Sequence, residues 1–267
     1  MTQFNELNLE SVRVSSFQER IEKLNKMIAD ARKIVFFTGA GISTGSGIPD
    51  FRSSNGLYTT SEEKDPEYML SHTCFKMEPQ LFFEYLRNNM DFRNAEPNIA
   101  HLKISELQRA RTVSVITQNI DGLHEKAGSK VIDNIHGTMA KWYCEGCCHD
   151  LYEYNDVMDG NFDNRYGVPT CPLCGGEYVI RPDITLYGEN LPLRDWGNAQ
   201  LHAGAADLMI VVGSSLTVSP ANHLPFYFGN PKQLVLINRD PAPFGIEFGL
   251  EFHEDISKVF ERIEIPE

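Results

Sequence analysis

The sequence has no long apolar run and no sign of an export signal. Nowhere in its 267 residues do about 18 apolar residues follow one another, the length that a membrane-spanning helix needs. Residues 1–10 contain no basic segment followed by an apolar stretch. Internal repeats and low-complexity tracts are also absent, which argues against two modules in tandem. We therefore expect a folded, cytoplasmic protein with no membrane partner.

Positive charge is also scarce. The chain has 24 Lys and Arg residues against 37 Asp and Glu residues, which gives a formal net charge of −13. Nucleic-acid binding depends on clustered Lys and Arg, so we expect no nucleic-acid partner. An acidic surface would instead attract basic segments such as a lysine-rich peptide. Hydrophobic residues make up 42% and charged residues 23%, values that are ordinary for a globular protein.

Cysteines are few, and four of the six form two Cys-x-x-Cys pairs separated by 23 residues. These four are Cys144, Cys147, Cys171 and Cys174. The spacing is typical of a tetrahedral zinc site, and four thiolates leave no open position for a substrate, which predicts one structural Zn²⁺ ion. Cys148 and His149 are minor rival ligands, and Cys74 is interpreted as a core residue.

Hydrophobic patterning predicts an α/β fold. A capping-box pair, Ser16 and Glu19, begins a helix that is predicted to run to about Lys33. Residues 34–37 form a short apolar run that enters a Gly-rich turn at 38–41, which is typical of a buried strand. Helical segments separate four further predicted strands, at 112–117, 131–135, 207–213 and 233–238. This alternation indicates a Rossmann-like, doubly wound, mostly parallel sheet with helices on both faces.

Two segments interrupt the alternation, at about 44–90 and 138–181. We expect a single domain over 1–267 with a small inserted part in these two segments, 44–90 and 138–181. The large, Rossmann-like part would then comprise about 16–43, 91–137 and 182–267. Ligands of such sheets bind at the carboxyl ends of the strands. The residues there, which we expect to line a site, are Thr38, Thr117, Gly213 and Asn238.

The segment GAGISTGSGIPDFR at 39–52 follows the first strand. Glycines at this place allow backbone N–H groups to approach a pyrophosphate, but their spacing differs from the usual G-x-G-x-x-G pattern. A tight structural turn is an equal alternative. In the following loop, Arg52 could pair with a phosphate, and Phe51, beside Asp50, could shield a reactive carbon from water. The alternative for this loop is an ordinary surface turn with a local Asp–Arg pair.

Polar side chains follow the strand at 112–117. Gln118, Asn119 and Asp121 would lie in the crevice at its carboxyl end, where amides and a carboxylate suit a ligand that has a ribose and a carboxamide. A simple turn that ends at Gly122 is equally compatible with these residue types.

Later strands also end in candidate site residues. His136 follows the strand at 131–135, and its imidazole suits general-base catalysis, although a structural role is the alternative. His124 is interpreted as structural. Segments 213–221 and 237–240 lie where a doubly wound sheet would hold the adenosine half of a dinucleotide, or they are simple strand-to-loop transitions.

Together these motifs resemble the sirtuin family in order and spacing, over about 36–240. The resemblance rests on GAGISTGSGIPDFRSSNGLY, TQNIDGLHEKAG, His136-Gly137, both Cys-x-x-Cys pairs, the run Tyr187 to Pro192, GSSLTVSPA and Ile237-Asn238. It implies a large Rossmann-like domain and a small domain made of a zinc-ribbon module and a helical module. It also implies an NAD-dependent protein lysine deacylase, of the transferase class, that consumes NAD.

The resemblance implies a role for each matching residue. Asn119 and His136 would be catalytic, with His136 as the base that activates a ribose hydroxyl. Acyl-lysine of a protein or peptide substrate would lie beside His136, Tyr187 and Gly188. NAD contacts are implied for Gly39, Ala40, Gly41, Asp50, Phe51, Arg52, Gln118, Asn119, Asp121, Gly213, Ser214, Ser215 and Asn238.

The resemblance also implies a reaction. The acyl oxygen would attack the ribose carbon, nicotinamide would leave, and the products would be free lysine, nicotinamide and O-acyl-ADP-ribose, with no part for zinc. Two rivals are a protein ADP-ribosyltransferase on the same scaffold and a non-catalytic sensor of NAD or ADP-ribose. Hydride transfer is disfavoured because the ordinary dinucleotide fingerprint is lacking.

Two departures from the family concern the acyl group. Tyr187 stands where the family usually has Phe. Desuccinylating members use a Tyr and an Arg three residues later, whereas here Tyr85 is followed by Arg87, and Leu86 and Asn89 occupy the aligned positions. We expect no preference for acidic acyl groups.

Overall fold

A computed structural model describes residues 15–50, 56, 65–150, 152–243 and 245–266. The strands in these residues are β1 (Lys33–Thr38), β2 (Thr112–Thr117), β3 (Ile132–Asn134), β4 (Gly137–Cys144), β5 (Ile180–Ile184), β6 (Leu208–Val212), β7 (Leu234–Ile237) and β8 (Leu250–Phe252). The helices are α1 (Phe17–Asp30), α2 (Pro66–Met69), α3 (His72–Met77), α4 (Pro79–Asn89), α5 (Ile99–Ala110), α6 (Leu123–Lys126), α7 (Tyr154–Met158), α8 (Leu193–Ala205), α9 (Leu224–Phe228) and α10 (Ile256–Phe260). Short 3₁₀ helices span Ala40–Ser46, Pro172–Cys174, Ala221–His223 and Pro231–Gln233. Across the described ranges, none of the helices has the length and apolar character required to cross a membrane.

Six strands form one sheet in the order β3-β2-β1-β6-β7-β8, and every neighbouring pair is parallel. The chain moves outward from β1 to β3, returns to the centre at β6 and then moves outward on the other side. The strand order therefore reverses between β1 and β6, which creates a crevice at their carboxyl ends. The predicted Rossmann-like parallel sheet is confirmed. β4 and β5 form a separate antiparallel pair.

The predicted strands differ from the observed ones only at their ends. β2 has the predicted bounds, and β1, β3, β6 and β7 each begin and end within one residue of them. β4, β5 and β8 have no predicted counterpart.

The prediction that the first helix runs to about Lys33 is wrong. α1 has the predicted capping box but ends at Asp30, because Ala31 is extended with φ −75° and ψ 138°. The carboxylate of Asp207 then accepts hydrogen bonds from the backbone N–H groups of Arg32 and Lys33, at 3.0 and 2.8 Å. These bonds hold the start of β1 against the segment that enters β6, so the chain leaves the helix early.

Side chains alternate between two hydrophobic clusters, one on each face of the sheet. In β1, Ile34 and Phe36 point to the face covered by α1, α5 and α10, while Val35 and Phe37 point to the face covered by α8 and α9. All four side chains are buried. Because both faces are covered, the strands read as continuous apolar runs. The parallel pairing of β1 with β6, which extends to Thr38 and Val212, places the carboxyl ends of the two strands beside each other.

A third hydrophobic cluster lies outside the sheet. It combines residues of 69–90 with residues of 139–186 and is rich in aromatic side chains, among them Phe75, Phe82, Phe83 and Trp142. The ring centroids of Phe82 lie 5.2 Å from those of Phe75 and Phe83. The helices after the first Gly-rich segment therefore pack against the segment that bears the cysteines. The domain boundaries given above remain a prediction.

Candidate active site

A cavity of about 750 Å³ lies at the carboxyl ends of β1 and β6. It brings together every predicted cofactor- or substrate-contacting residue that the structure describes. These are Gly39, Ala40, Gly41, Asp50, Gln118, Asn119, Asp121, His136, Tyr187, Gly188, Gly213, Ser214, Ser215 and Asn238. Phe51 and Arg52 lie outside the described residues.

Two residues expected at this edge do not line the cavity. Thr38 and Thr117 are buried below it, at 0% and 2% exposure. The Thr38 hydroxyl lies 3.0 Å from Nε2 of His124, and the Thr117 hydroxyl accepts a hydrogen bond from the Asn119 N–H. The structural interpretation of His124 is supported, since its ring is buried. The expectation for Thr38 and Thr117 is wrong because each strand reaches the cavity one residue later.

Three glycines form the floor of the cavity by close packing. A Cβ on Gly41 would lie 2.7 Å from Cα of Gly213, and a Cβ on Gly213 would lie 2.3 Å from the Ile42 nitrogen. Gly213 also has φ +61°, which favours glycine. The Gly41 N–H donates to the Gly213 carbonyl at 2.8 Å, and the Gly39 N–H donates to the Val212 carbonyl at 3.0 Å. These two N–H groups therefore hold a tight structural turn, the alternative that the glycine spacing left open.

A hydrogen-bonded group lies beside this turn. The Ser43 hydroxyl donates to the Asp121 carboxylate at 2.6 Å, and the Asn119 amide donates to the Ser43 oxygen and to the Gly39 carbonyl, both at 3.1 Å. Burial raises the pKa of Asp121, although the bonds from Ser43 and from the Leu123 N–H oppose this. Ser43 was not predicted as a site residue, but its place in the GAGISTG run, one turn after Gly39, could have indicated it. The group fixes the side chains of Asn119 and Asp121 in one orientation.

His136 connects β3 to β4 at the cavity wall. Its Nδ1 lies 3.0 Å from the Gln118 carbonyl oxygen, and its own carbonyl accepts from the Thr185 N–H at 2.9 Å. Gly137 follows with φ +79°, and a Cβ there would lie 2.0 Å from the Asp183 carbonyl oxygen, so only glycine fits. A carbonyl only accepts, so Nδ1 carries the proton and Nε2 has the free lone pair. Burial lowers the pKa of His136 below its ordinary 6.5, which keeps the imidazole neutral at pH 7.

Polar side chains continue along the other half of the cavity. The Gln118 amide donates to the Ser214 hydroxyl oxygen at 2.8 Å, which also accepts from the Leu216 N–H. The Ser215 hydroxyl lies 2.9 Å from that of Thr217, and the Asn238 amide donates to the Asp240 carbonyl at 2.9 Å. Hydroxyl and amide groups therefore line this half from β6 to β7.

The opposite wall comes from the segment after β5. The Tyr187 N–H donates to the Leu70 carbonyl, and the Tyr187 carbonyl accepts from the His72 N–H, both at 3.0 Å. Gly188 follows with φ +90°. These two bonds join the segment after β5 to the end of α2 and the start of α3.

The four predicted zinc ligands lie together. Their donor sulfur atoms are all within 4.8 Å of one another, and the Cys144–Cys174 and Cys147–Cys171 pairs are each separated by 3.8 Å. Four sulfurs placed about 2.3 Å from one tetrahedral Zn²⁺ ion would be about 3.8 Å apart. The set therefore fits a zinc ion. Cys148 and His149 lie outside the cluster, and Cys74 is buried elsewhere in the third hydrophobic cluster.

Comparison with known proteins identifies the family. The sequence profile of the Sir2 family matches residues 39–220. The chain belongs to the Sir2 family. A protein of Listeria monocytogenes named NAD-dependent protein deacetylase is 40% identical over 247 residues, which covers 91% of this chain and 100% of that protein. A protein of the same name from Staphylococcus aureus is 40% identical over 242 residues, which covers 90% of this chain and 96% of that protein.

Solved Sir2 structures share the fold. A Sir2 with a deacetylated p53 peptide and 3′-O-acetyl ADP ribose is 34% identical, with a TM-score of 0.82, and the match covers 91% of this chain and 96% of that chain. Sir2Tm bound to a propionylated peptide is also 34% identical, with a TM-score of 0.78 and the same coverage of both chains. The parallel sheet and the four-cysteine cluster of this chain are therefore those of a Sir2 protein.

In this Sir2 member, the arginine of α4 is bound elsewhere. Arg87 donates to the Asp163 carboxylate at 2.7 Å and to the Gly167 carbonyl at 2.9 Å, and it is not among the described residues that line the cavity. Asn89 lines the cavity instead, and its amide donates to the Tyr85 carbonyl at 2.9 Å. At this place the cavity is therefore lined by a neutral amide and not by a guanidinium group.

Proposed function

We propose that this Sir2 protein is an NAD-dependent protein lysine deacetylase that yields free lysine, nicotinamide and O-acetyl-ADP-ribose. The observation that carries the proposal is a neutral imidazole, His136, whose Nδ1 is held by the Gln118 carbonyl in the wall of the cavity at the strand-order reversal. The family match and the relatives named NAD-dependent protein deacetylase support the same activity.

His136 acts as the general base. Its Nε2 lone pair takes the proton of a ribose hydroxyl, which then attacks the former amide carbon of the acyl group. The Gln118 carbonyl stabilises the protonated ring, because it accepts from Nδ1 in both protonation states. Burial keeps the ring neutral before the reaction begins, so the base is ready near pH 7.

The polar groups on either side of His136 divide the cavity between the two ends of the dinucleotide. NAD, when bound, supplies the ribose carbon that takes the acyl oxygen and the nicotinamide that leaves. We assign Asn119 and Asp121 to the nicotinamide end, where their bonds to Ser43 pre-organise them. Gln118 binds ribose. The phosphates and adenosine lie along Gly39, Ala40, Gly41, Asp50, Gly213, Ser214, Ser215 and Asn238, which all line the cavity. Phe51 and Arg52 are assigned to NAD from the resemblance alone.

The acyl-lysine enters from the opposite wall. Tyr187 and Gly188 line the cavity, and two backbone hydrogen bonds fix Tyr187 to the end of α2 and the start of α3. The lysine stem passes beside this edge. The acyl oxygen then reaches the ribose next to His136. Products keep the acyl group on ribose, so the protein is a transferase.

A zinc ion held by Cys144, Cys147, Cys171 and Cys174 would be structural, because four sulfur ligands would leave no position for a substrate. The cluster links the end of β4 to the turn Pro172–Cys174. Thiolate ligands persist in a reducing compartment, which favours a cytoplasmic location.

The activity is tested with an acetyl-lysine peptide and NAD labelled in the adenine ring, with the products separated by mass. We expect one nicotinamide and one small labelled O-acetyl product for each deacetylated peptide. Label retained on protein would support the ADP-ribosyltransferase instead. Binding of NAD without any peptide-dependent release of nicotinamide would support the non-catalytic sensor.

A further inference from the structure

The start of α5 is bonded to the Gly-rich turn through one side chain. Asn98 immediately precedes α5, and its side-chain oxygen accepts a hydrogen bond from the Ala100 N–H at 3.0 Å, so it caps the helix. Its side-chain nitrogen donates to the Ile42 carbonyl at 2.7 Å and to the Ser46 hydroxyl oxygen at 3.0 Å. Asn98 therefore joins α5 to the 3₁₀ helix Ala40–Ser46.

This 3₁₀ helix depends on support from outside. It has 7 residues, whereas helices of this type are seldom longer than about 3–4 residues because their hydrogen bonds are poorly aligned. Asn98 bonds to it in the middle, at Ile42, and at its end, at Ser46. The packing is also close, since a Cβ on Gly45 would lie 3.3 Å from the Asn98 side-chain nitrogen. Asn98 therefore fixes where the 3₁₀ helix lies.

Ser43 connects the same 3₁₀ helix to the cavity. It follows Ile42 directly, and its hydroxyl donates to the Asp121 carboxylate at 2.6 Å. The Asn119 amide donates to the Ser43 hydroxyl oxygen at 3.1 Å. Ser43 is buried, at 1% exposure, so its side chain has little freedom to compensate for a movement of the backbone. A shift of the Ile42 carbonyl would therefore change the orientation of both Asn119 and Asp121.

We infer that Asn98 is a positioning residue, whose bond to the Ile42 carbonyl keeps Ser43 where it orients Asn119 and Asp121. The inference rests on the proposed function, in which Asn119 and Asp121 hold the nicotinamide end of NAD. Asn98 itself lines the cavity, but both N–H groups of its amide are used in bonds to the 3₁₀ helix. Asn98 therefore acts on NAD through Ser43 and not by direct contact of its amide N–H groups.

The binding test uses Asn98→Ser. Serine caps a helix about as well as asparagine, but its single O–H cannot replace the two amide N–H groups. Calorimetry is done with the unmodified lysine peptide present, so that no turnover occurs. We expect the Kd for NAD to rise about fivefold or more, while the Kd for ADP-ribose stays within about twofold, because ADP-ribose lacks the nicotinamide. A variant that is merely misfolded would bind both ligands more weakly.

The kinetic test measures nicotinamide release with an acetyl-lysine peptide. The kcat/KM for NAD should fall about ten- to hundredfold in Asn98→Ser, because a small misplacement of the groups around the reacting bond has an effect of this size. Ser43→Ala should cause a similar fall. The double variant should be little worse than Ser43→Ala alone, since Asn98 acts through Ser43. Losses that multiply in the double variant would overturn the inference.

Asn25→Ser is the matched control. The Asn25 amide also donates to a backbone carbonyl, that of Arg262 at 2.9 Å, and its oxygen accepts from the Glu264 N–H at 3.1 Å, but Asn25 does not line the cavity. This variant should keep the wild-type kcat/KM and NAD affinity.

Two binding results would contradict the role of Asn98. One is an Asn98→Ser protein with the wild-type affinity for NAD, and the other is an equal weakening of NAD and ADP-ribose. If the wild type releases no nicotinamide with any acetyl-lysine peptide, the deacetylase function fails. The affinities for NAD and ADP-ribose still decide the role of Asn98 in that case, because they are measured without turnover.

Discussion

The carbonyl oxygen of Gln118 lies 3.0 Å from Nδ1 of His136, and the side chain of the same Gln118 donates to the Ser214 hydroxyl oxygen at 2.8 Å. One residue thus spans the cavity from the base to the end of β6. The carbonyl selects the tautomer in which Nε2 can accept a proton. Burial lowers the pKa of the His136 ring. The place of His136 in the cavity wall therefore determines both the orientation of its Nε2 and the pH range in which the ring is neutral.

This relationship predicts the pH dependence of catalysis. His136 must be neutral to accept a proton, so kcat/KM should fall as the pH drops through its pKa. Because burial lowers that pKa, the fall should lie below pH 6.5. Initial rates with an acetyl-lysine peptide between about pH 5 and 8 measure it. An acid limb centred well above pH 6.5 would contradict the buried, neutral His136.

A second pH effect concerns stability. The rings of His101 and His124 are buried with 4.9 Å between their centroids, and burial lowers the pKa of His101 to about 4. Between that value and the ordinary 6.5 the unfolded chain binds a proton that the folded protein does not, so folding stability is lost as the pH falls through this window. His101 alone should account for about 3 kcal/mol of that loss.

The comparison is urea unfolding at several pH values for the wild type and for His101→Gln. The variant should show a shallower fall in unfolding free energy below pH 6.5. His223→Gln serves as the control, since His223 is exposed and should leave the slope unchanged. Parallel slopes for the wild type and His101→Gln would show that His101 is not the buried neutral group.

The zinc assignment predicts a loss of stability rather than a specific loss of chemistry. Cys171→Ser removes a ligand from a closed site whose binding free energy is folding free energy, so zinc content and melting temperature should both fall. Cys148→Ser is the control, because that thiol is exposed and lies outside the four-sulfur cluster. Zinc content is measured by metal analysis and the melting temperature by thermal unfolding, for the wild type and both variants. Full zinc occupancy in Cys171→Ser would exclude Cys171 as a ligand.

The strands were predictable because each is a short apolar run with polar or glycine boundaries, and burial on both faces of a parallel sheet produces such runs. The end of α1 was not, because it depends on Asp207, which is distant in sequence but accepts from the Arg32 and Lys33 N–H groups. β4 and β5 are distant in sequence, so their pairing cannot be read from either segment alone. A bulge between Thr138 and Trp142 also interrupts the alternation of inward and outward side chains.

The motifs predicted most of the described residues that line the cavity, but not the hydrogen bonds between them. The GAGISTG run includes Ser43, but the sequence does not show that the Ser43 hydroxyl donates to Asp121 while Ser46 accepts from the Asn98 amide. Thr38 was misplaced by one residue because the register of a strand end is set by packing, here by the bond to buried His124. Tertiary contacts decide such details.

The position of Arg87 leads to a prediction about acyl groups. Arg87 is held by Asp163 and by two backbone carbonyls, and it does not line the cavity. We expect kcat/KM with acetyl-lysine to exceed that with succinyl-lysine in the same peptide by more than about tenfold, since a carboxylate would lose its hydration without a partner. A succinyl-lysine peptide that is processed as fast as its acetyl counterpart would refute this.

The most direct test of the whole account is deacetylation by His136→Ala at saturating NAD. The variant loses only the base, while the polar groups around Ser43, Asn119 and Ser214 are unchanged. We predict that the initial rate of deacetylated peptide formation falls about 10²–10⁴-fold, with NAD affinity measured by calorimetry within about threefold of the wild type. Deacetylation by the variant at the wild-type rate would remove His136 from the mechanism, and a loss of NAD binding would make it a structural residue of the cavity.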